Sequence, residues 1–239
     1  MTGRGSPEHH NRVDSAVPTA LAAQAVHAAA QVSGAVADAV LDLDTEEAER
    51  RARVGLRGVV DLGLLDTLMC LPLGDAVAVA DLGPTSLRRL RAAPRGCVEW
   101  SDDGARVRRL LTPAARVRLV VVRAATWRRG LLRASAFEPF ATRVVLLPRA
   151  PGRLHEITWE ADAAGVGLWS SETGTADGPG APVTEIVAPV PFVCRYVKPA
   201  GWRFRERAFA AWSVTSCSQD CSGGVSTGGG VVGPAARYR

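Results

Sequence analysis

Two uninterrupted apolar runs, Leu119–Val122 and Val144–Leu147, constrain the fold more than any other feature of the sequence. Runs this short, with no polar residue alternating, suit strands buried on both faces in the middle of a sheet. The alternating Arg116-Val117-Arg118 leads into the first, and Pro148 closes the second. Between them, Trp127–Phe137 reads as a helix that gathers Trp127, Leu131, Ala134 and Phe137 on one face. Leu154–Ala164 reads as another helix and Gly165–Trp169 as a third strand. Ser170–Pro182 reads as a Gly-rich loop, Thr184–Val187 as an edge strand and Trp202–Trp212 as a last helix. Residues 114–213 are thus expected to form a small mixed α/β sheet domain. All six tryptophans fall between Trp100 and Trp212, so the bulky packing residues are in the second half.

The first half reads differently. Residues 1–15 are rich in Gly, Pro, His and charge and are expected to be a disordered leader. Residues 16–55 form an Ala-rich helical region. One helix is predicted over 19–41 and a second over Glu46–Val54, with Thr45 as its N-cap and Glu46 and Glu47 at its positive end. Arg50, Arg51 and Arg53 fall near the opposite end, where cations are favoured. From Leu56, apolar residues at helical spacing run to Met69, and Pro72 and Gly74 end that helix. Val77 and Val79 precede an Asp81-Leu82-Gly83-Pro84 turn, and a short helix over Thr85–Ala93 follows, capped by Thr85 or Ser86. Cys97–Trp100 and Ala105–Arg108 flank Asp103-Gly104, the strongest short-range hairpin signal in the chain. Residues 214–239 lack periodicity and are expected to be a disordered tail.

The formal net charge is +5, carried almost wholly by arginine, since Lys198 is the only lysine. A moderately basic surface attracts phosphate, and arginine suits bidentate phosphate and guanine contacts. No apolar run reaches the ~18 residues of a membrane span, and the first residues lack the apolar stretch of a secretory signal. Five cysteines, an odd number, together with that leader predict reduced thiols and a cytoplasmic location.

The helix–turn–helix–hairpin order of 56–113 resembles a winged-helix domain. That resemblance implies a reading helix over Thr85–Ala93 that meets DNA with Arg88, Arg89 and Arg91, and a wing carrying Arg106, Arg108 and Arg109.

The strand–helix–strand–helix–strand run of 116–169 resembles the restriction-endonuclease-like, or PD-(D/E)XK, fold. The resemblance rests on Leu119-Val-Val-Val-Arg123, Thr126-Trp127-Arg-Arg-Gly-Leu-Leu-Arg133-Ala134, Phe137, Phe140–Pro148 and Gly165-Val-Gly-Leu168, about a fifth of the chain. It implies metal-dependent phosphodiester hydrolysis, with acids holding Mg²⁺ and a lysine beside the attacking water. Aligned on Trp127, the acidic position falls on Val121, the lysine position on Arg123 and the helix glutamine position on Arg133. Valine offers a hard cation no oxygen. An upstream acid is expected only from Asp102 or Asp103. The resemblance therefore implies a dismantled site with no catalytic residue, metal or cofactor, in which Arg123 still binds phosphate.

Other candidates are weaker. Cys217-x-x-x-Cys221 has no nearby ligand partner for zinc, and Glu156, Glu160 and Asp162 read as a solvated helix face. Gly165 and Gly167 sit in an apolar strand with no helix after them to hold phosphate. The resulting expectation is an α+β protein, a helical and winged-helix N-terminal region followed by a nuclease-like sheet domain. It would bind or regulate double-stranded DNA without catalysis. One alternative is an active metal-dependent nuclease with migrated acids, drawn from Asp103, Glu138, Glu156 and Glu160. The other is a structural or partner-binding scaffold.

Overall fold

A computed structural model of the chain describes residues 26–171 and 183–222, with side chains for 28–171 and 183–214. Ser33 and Gly34 both take positive φ, 48° and 82°, so the chain reverses tightly between β1 (Val26–Val32) and β2 (Ala35–Leu43). Val32 faces Ala35 across that two-residue turn, as expected where the turn twist matches the strands. These strands replace the helix predicted over 19–41. Alanine is a strong helix former, but here alternate alanines (Ala28, Ala30, Ala37 and Ala39) are buried on one sheet face. Their small side chains let a helix approach closely. Residues 16–25 of the predicted helical region, the leader 1–15, the loop residues 172–182 and the end of the tail, 223–239, lie outside the described residues.

The sheet continues across a long insertion. Its order is β1-β2-β6-β7-β8-β9, with β6 at Ala115–Arg123, β7 at Thr142–Leu147, β8 at Gly167–Ser171 and β9 at Val183–Val187. β6, β7 and β8 are mutually parallel, and the other neighbours are antiparallel, so the sheet is mixed. Helices α4 (Trp127–Ser135) and α5 (Leu154–Ala164) make the parallel crossovers, and α6 (Pro199–Ser222) crosses β1 and β6. Trp127, Phe137, Ala161, Phe204 and Phe209 meet Val120, Val122 and Val145 in the main core. The opposite face holds Val40, Leu119, Val121, Val144, Leu146 and Trp169. Leu119–Val122 is thus apolar throughout because its alternate side chains enter two different cores. The last helix runs on through Ser222, beyond Trp212 and into the expected tail, because no Gly or Pro follows Gly201 until Gly223.

Between β2 and β6 stands a smaller unit. It comprises α1 (Thr45–Val54), α2 (Leu62–Met69), β3 (Ala76–Ala78), a 3-10 turn at Val79–Asp81, α3 (Pro84–Arg91), β4 (Val98–Trp100) and β5 (Arg106–Arg109). Asp44 rather than Thr45 caps α1, accepting from the Glu47 amide at 3.0 Å. Leu56–Asp61 is not helical. Gly58 lies so close to α6 that a Cβ would sit 2.3 Å from the Glu206 carbonyl oxygen, and Asp61 caps α2 three residues later. On α3 the cap is Gly83, with Pro84 in the first turn where its missing N–H costs nothing, and not Thr85 or Ser86. The hairpin forms as expected, but a third strand joins it in the order β3-β5-β4. That strand and the 3-10 turn separate α2 from α3, so the two helices are not joined by a simple turn. Leu64, Leu65, Leu68, Leu90, Cys97, Val107, Leu111 and Trp202 of α6 form this unit's core. The whole is a mixed α+β structure with six α-helices among the described residues. No helix among them is long and apolar enough to cross a membrane.

Candidate nucleic-acid interface

The structure distributes the seven arginines expected at DNA over three places. Arg88 and Arg91 lie three residues apart on α3, exposed and on one face, while Leu90 points into the core. Arg89 turns toward α2, where its guanidinium lies 3.4 Å from Thr67 Oγ1 and close against Gly63. On β5, Arg106 donates to the Ala76 carbonyl and Arg108 pairs with Glu99 of the neighbouring strand. Arg109 points the other way, as strand alternation requires. It donates to the Leu68 and Leu71 carbonyls at 2.9 and 3.3 Å and lies over the Trp202 ring, and burial pulls its guanidinium below the ordinary value. Arg109 is therefore an internal strut between the hairpin and α6.

Only Arg88 and Arg91 of the six on this unit stand exposed with no partner among the described residues. Arg95, four residues beyond Arg91, is also exposed, as is Arg57, which lines one cleft with Arg89 and Ala92. With eleven arginines against ten carboxylates, residues 45–112 have a net charge of +1, so attraction for phosphate rests on this local clustering. Asp102 and Asp103 add acid to the tip of the β4–β5 hairpin. The Asp103 carboxylate accepts from Ser101 Oγ at 2.6 Å and the Ala105 amide at 3.0 Å, and the first of these holds its pKa below the usual range.

Arg123 lies elsewhere, at the end of β6. In register, Val121 faces Asp38 on β2, and Arg123 Nε donates to Asp38 Oδ2 at 2.7 Å. Both side chains rise from the sheet face that carries Val40 and Val121. The acid beside Val121 is therefore Asp38, not Asp102 or Asp103, which belong to the hairpin turn. Asp38 falls inside the helix predicted over 19–41, and only its place in β2 brings it beside Val121. The alternative acids do not converge. Asp103 is in the hairpin turn, Glu138 pairs with Arg143 at 3.6 Å, and Glu156 and Glu160 lie on α5. Among the described residues no group of three His, Cys, Asp or Glu side chains could hold a metal ion.

The densest polar cluster was not foreseen. Arg51 is fully buried and donates from Nε to Glu47 at 2.7 Å, from its two terminal nitrogens to Glu206 at 2.6 and 2.9 Å, and to the Thr112 carbonyl at 2.5 Å. Glu206, also fully buried, accepts in addition from the Val59 amide and Trp202 Nε1, both at 2.9 Å. This cluster joins α1, the return to β6 and α6, and it fixes the small unit to the sheet. Burial pushes the Glu47 carboxyl up, but hydrogen bonds from Arg50 and Arg51, reinforced by their charge, outweigh it and hold the group below its model-peptide value of 4.5. A carboxyl lowered by folding adds stability that is complete above its unfolded pKa and is lost as pH falls through the folded one. Glu47→Gln should therefore flatten the loss of stability below pH 4.5 in urea titrations. An acid limb identical to that of the parent would exclude Glu47 as its source.

Comparison with protein-family models, curated proteins and solved structures found no match to this chain.

Proposed function

We propose that the chain is a double-stranded-DNA-binding protein without nuclease activity, and that α3 makes the principal contact. The observation that carries this reading is the pair Arg88 and Arg91, exposed and without a partner among the described residues, on one face of a helix whose other face is anchored by Leu90. Two exposed guanidiniums on a rigid helix suit phosphate, and Arg95, four residues beyond Arg91, extends the charge. The resemblance to a winged-helix unit supports the same surface. The resemblance of the sheet to a nuclease domain favours a protein that has kept phosphate affinity and lost hydrolysis. Metal-assisted cleavage needs convergent carboxylates. Among the described residues the acid beside Val121 is Asp38, and it is paired with Arg123.

The test is fluorescence anisotropy with duplex DNA across a salt series. Replacing Arg88 and Arg91 together with Ala should weaken binding and reduce the log–log salt slope by about 1.8, at about 0.9 per phosphate contact. Arg89→Ala should leave the slope unchanged, because its guanidinium is engaged by α2. Equal slopes for the parent and the Arg88/Arg91 variant would remove α3 from the interface. Incubation with Mg²⁺ or Mn²⁺ should give binding without cleavage. Cleavage abolished by Glu138→Gln, Glu156→Gln or Glu160→Gln would establish a nuclease instead.

A further inference from the structure

The outer faces of α4 and α5 carry a pattern that neither the fold nor the DNA reading uses. Leu132 on α4 and Trp159 on α5 are 77% and 73% exposed, each on the ridge opposite its helix's buried side. Around Leu132 the exposed residues Arg128, Arg129 and Arg133 make α4 basic, and α4 contains no acid. Around Trp159, Glu156, Glu160 and Asp162 make α5 acidic. The helices lie side by side on one sheet face, where Trp127 Nε1 of α4 donates to Glu160 of α5 at 2.7 Å. One surface therefore has a basic half and an acidic half, each with an exposed large apolar side chain.

We propose that this surface is a self-complementary interface through which two copies of the chain pair about a two-fold axis. An isologous contact brings the same patch of both copies together, so residues of one half meet the other half twice. A two-fold axis between the helices sets the basic α4 of each copy on the acidic α5 of the other, with Leu132 and Trp159 near the centre. A nucleic acid fits this surface poorly, because the α5 carboxylates would face phosphate. Among the described residues, Glu156 has only the exposed pair with Arg153 at 3.5 Å. Arg128, Arg129 and Arg133 have no partner among the described residues. Charge placed in this way sets register and partner choice, while the central aromatic supplies most of the affinity.

Sedimentation velocity of the full chain tests the proposal. The parent should dimerise reversibly, with a dissociation constant that rises with salt. Trp159→Ser, at an exposed position that leaves the fold intact, should raise that constant about 30-fold. A chain with Arg129→Glu and Arg133→Glu should be monomeric, as should one with Glu156→Arg and Asp162→Arg. Mixing the two should restore a dimer, because each α4 then meets an α5 of opposite net charge. Circular-dichroism melts of each variant verify folding. A parent that stays monomeric at about 0.1 mM and low salt overturns the proposal. So does a dimer indifferent to all of these substitutions, or a mixture that fails to associate. Loss of DNA affinity in the Arg129→Glu/Arg133→Glu chain, with a monomeric parent, would identify a nucleic-acid surface instead. None of these outcomes depends on Arg88 or Arg91, so the dimer and the α3 contact can fail separately.

Discussion

Glu206→Ala should lower the unfolding free energy by about 3–5 kcal/mol, the usual cost of stripping one partner from a buried charge. The carboxylate accepts two hydrogen bonds from Arg51, one from the Val59 amide and one from Trp202 Nε1. Removing it leaves Arg51 buried with Glu47 and the Thr112 carbonyl, and orphans two further donors. Glu206→Gln should recover little, since an amide NH₂ would then face groups that themselves donate. Arg51→Met should cost a similar amount by exposing the opposite imbalance. Combining Arg51→Met with Glu206→Leu should recover part of the loss, because apolar replacement of a whole buried pair is often neutral. Recovery stops short, because Val59 and Trp202 still lack an acceptor, at about 1–3 kcal/mol for each buried donor left unmade. Glu49→Ala on the exposed side of α1 is the control and should stay within about 0.5 kcal/mol. Urea unfolding measures all of these, and a Glu206→Ala chain as stable as the Glu49→Ala control would refute the buried lock.

Trp127→Ala should cost about 3–5 kcal/mol by leaving a cavity between α4 and the sheet. The indole is buried in the main core at the first turn of α4. One turn on, Gly130 brings the helix backbone against β7: a Cβ there would lie 2.4 Å from Val145 Cγ1. Such a close approach leaves α4 little freedom to shift inward and fill the space, which puts the expected loss toward the upper end. Trp127→Phe should cost far less. It keeps most of the ring and gives up the hydrogen bond to Glu160, whose side chain is exposed and can turn to water. Equal stabilities of the alanine, phenylalanine and parent chains in thermal unfolding would show that the indole does not anchor the helix.

The central strands were legible because burial on both faces leaves a signature that needs no partner to be known. Leu119 and Val121 enter one core, Val120 and Val122 the other, and the run shows no alternation. The hairpin was legible because Asp103-Gly104 specifies its own turn, with Gly104 at φ 67°. The β1–β2 hairpin was misread although Ser33-Gly34 marks its turn. Alanine favours helices locally, and what made these residues strands was packing under α6, which is remote in sequence. That misreading hid Asp38, the acid beside Val121.

The arginines could be counted but only partly sorted. Period-two alternation along Arg106–Arg109 already sets Arg109 apart from Arg106 and Arg108, and helical spacing already groups Arg88 with Arg91. Nothing local shows that Arg89 is held by α2, or that Arg108 has Glu99 across the strand. The spacings Glu47 to Arg51 and Trp202 to Glu206 are both one helical turn, which looks like ordinary surface pairing. Their meeting joins residues 155 apart, so no window of sequence contains it.

That distance also sets a clock during synthesis. Chains grow at about 5–20 residues per second, so about 8 to 30 s pass between the making of Arg51 and of Glu206, 155 residues later. In the later part of that interval, once Arg109 has been made, every strand and helix of the small unit has been synthesised but Trp202 has not, so its core lacks the side chain that α6 contributes. Apolar surface exposed in this way in a growing chain is prone to aggregate, which is what chaperones counter. Trp202 and Glu206 lie one turn apart on α6, so the turn that completes this core also completes the charge cluster.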